Sequence, residues 1–131
     1  MKRVLFVCVE NSCRSQMAEG FANEIGRDFF EAHSAGLQPA GAVNPRAVSA
    51  MKELSVDISS QRSKGFDDLP DYEWDAVVTI GRGDNCPSLP TRMRVDWDLP
   101  DPREKSEADF NQVRNKILVQ VASLLRDLKK I

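Results

Sequence analysis

Two residues near the N-terminus have types and a spacing that could do chemistry: Cys8, and six positions later Arg14, in "VLFVCVENSCRS". A thiolate is a strong nucleophile, and a guanidinium is a planar, permanently charged fork that matches two oxygens of a tetrahedral anion. If the residues between them form a loop entering a helix, the backbone amides of Val9, Glu10, Asn11, Ser12, Cys13 and Arg14 lack intrahelical partners. The helix dipole adds positive potential there, and together these make an oxyanion cradle. The same field favours thiolate over thiol at Cys8, and Ser15, just behind, can donate a hydrogen bond to it. The glycine pattern and Lys-Ser/Thr of a Walker loop are absent. This loop would hold the anion and also attack it. Such an attack expels an oxygen that must be protonated, so a carboxylic acid is needed across the site. Asp96, Asp98 and Asp101 in "DWDLPDP" are candidates, and the residues alone leave the choice open.

The elements around these residues put the loop where a ligand would bind. Residues 3–9 form a nearly all-apolar stretch, as expected of a strand covered on both faces. Residues 13–26 then give a helix with Met17, Phe21 and Ile25 on one stripe, ending near Gly26. A second strand is expected within 29–35, followed by a helix capped by Asn44 with Pro45 at its first position and an apolar face of Ala47, Val48, Met51 and Leu54. Strands are expected over 75–80 and, more weakly, 92–97. A terminal helix from about 107 to 129 carries Phe110, Val113, Ile117, Val121, Leu124 and Leu128 at spacings of three and four. Alternating strands and helices predict a parallel sheet, with ligands at the carboxyl ends of the strands.

The 131 residues are the size of one ordinary domain, 1–131, and the composition, 41% hydrophobic and 29% charged, is that of a globular protein. A net charge of −2 gives no reason to expect nucleic acid or an anionic membrane as partner. The apolar run after Met1 is too short for a signal peptide, and no later run approaches a membrane span, so a cytoplasmic location is expected. In that compartment Cys8, Cys13 and Cys86 are expected to be reduced, catalytic or redox-active. Cys13 is explained as well by a small residue at the helix base as by a redox role. No cysteine or histidine spacing suggests a metal site, and the only histidine, His33, reads as a strand residue.

With these elements in place, "CVENSCRSQMAEG" resembles the active-site loop of the low-molecular-weight protein tyrosine phosphatase superfamily, particularly its thioredoxin-coupled arsenate reductase branch. The likeness continues through "SAG" at 34–36, "NPRAV" at 44–48, "DIS" at 57–59, "DAVVTI" at 75–80, "NCPSLP" at 85–90 and "DP" at 101–102. It implies one α/β domain, a four-stranded parallel sheet with helices on both faces. Cys8 would be the nucleophile, Arg14 the oxyanion binder and Asp101 the general acid. It implies no cofactor, arsenate or phosphate as ligand, and an external thiol reductant of the thioredoxin or glutaredoxin kind.

Three departures from the family pattern matter. Phosphatase members carry tyrosines shortly after the Asp-Pro, whereas here the segment is "DPREKSEADF" and the only tyrosine is Tyr72, which favours a small inorganic substrate. Relay cysteines of the reductases include one directly after the third strand. That position is Gly81 here, leaving Cys86 in "TIGRGDNCP" as the candidate resolving thiol, with Cys13 or an external thiol as alternatives. Gly83 and Pro87 would let such a loop move, and Arg82, Arg92 and Arg94 could lower the pKa of Cys86 or receive an anionic partner. Finally, Asn11, Glu19 and Ser34 match ligands of a cation site found in some reductases, but Lys64 stands where the family often has Asp, so no metal is expected. A phosphatase working through a phosphocysteine is the second reading, and an oxyanion-binding or phosphocarrier module the third.

Overall fold

The structure is a computed structural model that describes residues 1–81 and 86–131. Arg82 and Gly83, assigned to the Cys86 loop above, lie outside the described residues. Four strands, β1 (Lys2–Cys8), β2 (Phe30–Gly36), β3 (Ala76–Ile80) and β4 (Arg94–Trp97), and three α-helices, α1 (Arg14–Ile25), α2 (Pro45–Lys52) and α3 (Glu107–Lys129), follow in the order β1-α1-β2-α2-β3-β4-α3, so that helices separate all strands but the last two among the described residues. The strands form one parallel sheet in the order β2-β1-β3-β4. β1 is central, and its side chains are buried on both faces of the sheet, which is why its sequence lacks polar alternation. From β1 the chain crosses to β2 on one side and returns to β3 on the other. The carboxyl end of β1, at Cys8, therefore lies at the point where the strand order reverses, the usual ligand crevice of an open α/β sheet.

Side chains of β1 alternate between two cores. Val4, Phe6 and Cys8 join the larger one, built with Met17, Ala18, Phe21 and Ala22 of α1, Ala47 and Met51 of α2, and Phe110, Ile117 and Val121 of α3. Leu5 and Val7 face the smaller one, with Ala35, Trp74 and Val77, against which Phe66, Leu69, Tyr72, Cys86 and Leu89 pack. Both faces of the sheet carry helix, but unequally. The α-helices share one face, and among the described residues the other is covered by the 3-10 turn Phe66–Asp68 and extended chain.

The helix signals act as their chemistry requires. Asn44 Oδ1 accepts from Arg46 N at 2.9 Å with Pro45 opening α2, and Ser106 Oγ accepts from Asp109 N at 3.1 Å to open α3. Two expected core residues are outside. Ile25 is 48% exposed, because α1 packs on α3 through a face centred on Met17, Ala18, Phe21 and Ala22 rather than the Met17–Phe21–Ile25 line. Leu54 is 38% exposed, because α2 has ended. Ser55 there takes a positive φ of 62°, and the turn delivers Val56 to the core in its place. No described helix is long and apolar enough to cross a membrane.

Candidate active site

The loop between β1 and α1 is shaped by where its carbonyls go. Those of Cys8, Val9, Glu10 and Ser12 accept from the backbone amides of Leu37, Gln38, Ala40 and Asn44 at 3.4, 2.8, 2.9 and 2.9 Å. Ser63 Oγ adds a second donor to the Glu10 carbonyl at 3.0 Å, and Gln16 Nε2 reaches the Asn11 carbonyl at 3.0 Å. In a planar trans peptide N–H and C=O point in opposite directions. With these carbonyls turned outward, the amides of residues 9–13 turn toward the cavity that Val9, Glu10, Ser12 and Cys13 line. α1 begins without a side-chain cap at Cys13, so no side chain competes with an anion for its first-turn amides.

The curl needs two special backbone positions. Asn11 sits at φ 51°, a left-handed conformation that Asn tolerates better than most residues. Gly36, paired with Cys8 across the sheet, passes so close that a Cβ there would lie 2.9 Å from Asn11 N. Asn11 is fully buried, and its side chain ties the loop together. Its Oδ1 accepts from Gln16 Nε2 and Lys64 N, both at 2.9 Å, while its Nδ2 donates to Ser15 Oγ at 2.7 Å. Ser15 Oγ, which accepts from Asn11, lies 2.8 Å from Cys8 Sγ, and its hydroxyl can donate to that sulfur when it is a thiolate.

Cys8 therefore lies at the base of a cavity of 160 Å³ bounded by the loop, Arg14, Asp101 and Arg103. The Arg14 guanidinium is buried and held by the Leu99 carbonyl, 2.8 Å from Nη1. Asp101 is the only one of the three candidate aspartates on the cavity wall. Its carboxylate is half-exposed and bonded to Arg103, with Nε 2.7 Å from Oδ2 and the amide 3.1 Å from Oδ1. Asp96 is occupied elsewhere, by Thr79 Oγ1 on β3. Chemically, the arrangement can hold a tetrahedral anion on amides and one guanidinium, present a sulfur to its centre, and offer a carboxyl at the opposite side.

The other two cysteines are placed differently. Cys13 borders the cavity, but burial pushes its thiol up to about 12, outweighing the hydrogen bond from Ser12 that acts the other way. Cys86 does not line the cavity. It packs against the smaller core, on the sheet face opposite Cys8. Its Sγ lies 3.5 Å from the Pro87 carbonyl. Burial raises its pKa, and Arg94, which lowers it as expected, does not outweigh burial. The structure thus brings Cys8, Arg14, Asp101 and Cys13 together and leaves Cys86 apart. His33 also lies away from the cavity, bonded to Glu31 at 2.7 Å and stacked edge-on to Tyr72 and Trp74.

Behind the loop, Ser34 Oγ donates to Glu19 Oε1 at 2.6 Å, and the Lys64 ammonium stands 3.5 Å from the same oxygen. A protein cation thus already faces the carboxylate of the candidate cation site. Sequence reasoning missed three residues here. Gln16, fully buried, bonds Asn11 and the Arg62 carbonyl and accepts from Gln61. Gly36 permits the close approach, and Arg103 lines the cavity. Gly36 had a signal as the last residue of "SAG", and Arg103 as the residue directly after the Asp101-Pro102 pair.

Comparison with known proteins gives a consistent picture. The family model for low molecular weight phosphotyrosine protein phosphatase matches residues 3–131. The chain is 42% identical over 123 residues to an arsenate reductase of Staphylococcus aureus (strain Newman), covering 92% of this chain and 93% of that protein. Its fold superimposes on an arsenate reductase solved in the phosphate binding state with a TM-score of 0.90 and 37% identity, over 98% of this chain and 99% of that one. A thioredoxin-dependent arsenate reductase of Corynebacterium glutamicum aligns with a TM-score of 0.82 and 30% identity, over 98% of this chain and 62% of the other.

Proposed function

The chain belongs to the low molecular weight phosphotyrosine protein phosphatase family, and within it we propose that the protein is an arsenate reductase. The observation that carries this reading is the cavity. It joins a nucleophilic sulfur to an oxyanion cradle, none of the described residues that line it is aromatic, and at 160 Å³ it falls below the roughly 300–1,000 Å³ usual for larger organic ligands. Relatives similar over nearly the whole chain carry the same name.

In the proposed reaction arsenate sits on the amides of residues 9–14 and on Arg14. The Cys8 thiolate, held by the Ser15 hydroxyl, attacks arsenic; an As–O bond breaks, and the oxygen leaves as water with a proton from Asp101. A second thiolate then attacks Cys8 Sγ. A disulfide forms, the S–As electron pair passes to arsenic, As(V) becomes As(III), and arsenite leaves. A dithiol of the thioredoxin or glutaredoxin kind returns two electrons to the disulfide. The second thiolate is not preassembled. Cys13, with a thiol near 12, is protonated at neutral pH, and Cys86 must leave its core to reach Cys8. It comes either from Cys86 carried across by its loop or from a second molecule.

The test is arsenate-dependent consumption of reductant. Wild type should show it and Cys8→Ser should lose it while still binding phosphate; retained turnover in Cys8→Ser would overturn the mechanism. Peptide mapping after arsenate treatment without reductant identifies the resolving thiol. A Cys8–Cys86 disulfide marks the internal relay, and turnover unchanged by Cys86→Ser marks an external thiol.

A second reading, a phosphatase whose phosphocysteine is hydrolysed by water, is favoured by one observation. Gly81 stands where relay members of the family carry a thiol, and a Cβ there would lie 2.8 Å from Arg14 Nη1. Hydrolysis of an aryl phosphate without any arsenate-dependent consumption of reductant would establish it.

A further inference from the structure

Arg103 lines the anion cavity with Cys8 and Arg14, and none of the steps above uses it. Its guanidinium reaches both carboxylates at the mouth: Nε donates to Asp101 Oδ2 at 2.7 Å, and Nη1 pairs with Glu10 on the cysteine loop. Its backbone is anchored as well. The Arg103 carbonyl accepts from Arg46 Nη1 at 2.7 Å, and the Arg46 guanidinium lies over the Phe110 ring, 4.6 Å from its centre. The side chain therefore spans the opening, from the Asp101 loop on one side to the Cys8 loop on the other.

We propose that Arg103 determines substrate specificity: a strap between Asp101 and Glu10 that encloses a free tetrahedral oxyanion and selects against phosphoric esters. The inference rests on the functional reading above, since it assumes that the cavity holds the oxyanion. With three oxygens on the amides and Arg14, the fourth faces Asp101, and in an ester that oxygen bears the organic group. The group is then directed into the gap that Arg103 bridges, and admitting it breaks both ion pairs. Half-exposed ion pairs are individually weak, so the strap yields to thermal motion and the selection is graded. Losing two such pairs corresponds to about tenfold, or roughly 1.4 kcal/mol. Inorganic phosphate and a phosphate monoester can both bind as dianions, so their attraction to the Arg103 charge largely cancels in a ratio of affinities.

The experiment measures dissociation constants for inorganic phosphate and phenyl phosphate by calorimetry, with Cys8→Ser as the background to prevent turnover. Phenyl phosphate should bind about tenfold more weakly than phosphate. Adding Arg103→Ala should bring the two constants together, and adding Arg103→Lys, which keeps a charge but not the fork, should give an intermediate ratio. A ratio left unchanged by both substitutions, or a parallel weakening of both anions, would overturn the proposal. Arg103 is itself half-exposed and outside both cores, and the Lys variant keeps the measurement decisive if the Ala variant folds poorly. The readout does not depend on arsenic chemistry. A protein that consumes no reductant with arsenate yet shows these ratios would lose the reductase reading and keep the strap, whereas binding of neither anion overturns both.

Discussion

Gly81, just past β3, controls whether Arg14 can stand where it does, and replacing it by alanine separates strain from displacement. Its backbone lies at φ +89°, and a Cβ built there falls 2.8 Å from Arg14 Nη1. That same nitrogen is held by the Leu99 carbonyl at 2.8 Å. Gly81→Ala should therefore act twice. A left-handed backbone costs an L-residue about 1–2 kcal/mol, which lowers the melting temperature by roughly 4–8 °C in a domain of this size. The methyl also pushes the guanidinium off Leu99. A hydrogen bond to a charged group is worth about 1.5–3 kcal/mol, so loss of a comparable Arg14 contact to the anion weakens phosphate binding about ten- to a hundredfold. Gly41 supplies the control: its φ is +90°, but a Cβ there meets nothing within 4 Å. Gly41→Ala should lose stability alone. Calorimetry with phosphate and thermal melting of both variants make the comparison. Phosphate affinity of Gly81→Ala within twofold of wild type, or an equal loss in Gly41→Ala, would refute the account of Arg14. The same contact means that a cysteine introduced at position 81 would be accommodated only by moving the Arg14 guanidinium.

Two further sites probe the surroundings of the cavity: Cys13 and the Lys64–Glu19 pair. Burial raises the Cys13 thiol from 9.0 to about 12, so between those values the unfolded chain loses a proton that the folded chain keeps. Stability should be fully present below pH 9 and fall as pH rises toward 12, by up to about tenfold in the folding equilibrium per unit from this one group. Denaturant midpoints across that range should decline less steeply in Cys13→Ala, and identical slopes would count against the burial effect. Lys64 and Glu19 share a mostly buried ion pair beside Ser34. Lys64→Met, which strands the carboxylate, should cost about 3 kcal/mol, and adding Glu19→Gln should recover most of it. Additive losses in the double variant would show that the two residues do not act as a pair.

The parts of this molecule that were legible in its sequence are those whose signal is local. An apolar run with no alternation marked β1 as covered on both faces, Asn-Pro marked the start of α2, and the regular spacing from Phe110 to Leu128 marked α3. The placement of Cys8 and Arg14 on one cavity was legible because a strand, a short loop and a helix follow one another there in the sequence. What escaped depends on contacts distant in sequence. Gln16 reads as a solvated helix residue until Asn11, Gln61 and the Arg62 carbonyl close around it. Ile25 and Leu54 fit a helical period, but small residues of α1 and the turn at Ser55 decide which side chains meet the sheet. The separation of Cys86 from Cys8 follows from which sheet face each joins, and spacing along the chain carries no trace of it.

The outward carbonyls of the Cys8 loop have a consequence for how the site can change. In the proposed reaction the anion meets mostly peptide N–H, in peptide units whose carbonyls are fixed by the amides of Leu37, Gln38, Ala40 and Asn44, so recognition of a tetrahedral charge would be independent of most of the loop's side chains. Val9 and Glu10 can be exchanged at the rim while the cradle beneath them keeps its shape. The molecule thus divides into a backbone cradle fixed by the fold and an editable margin at Glu10 and Arg103. New substrates would be acquired at that margin, through charge and size, without relearning how to hold an oxyanion.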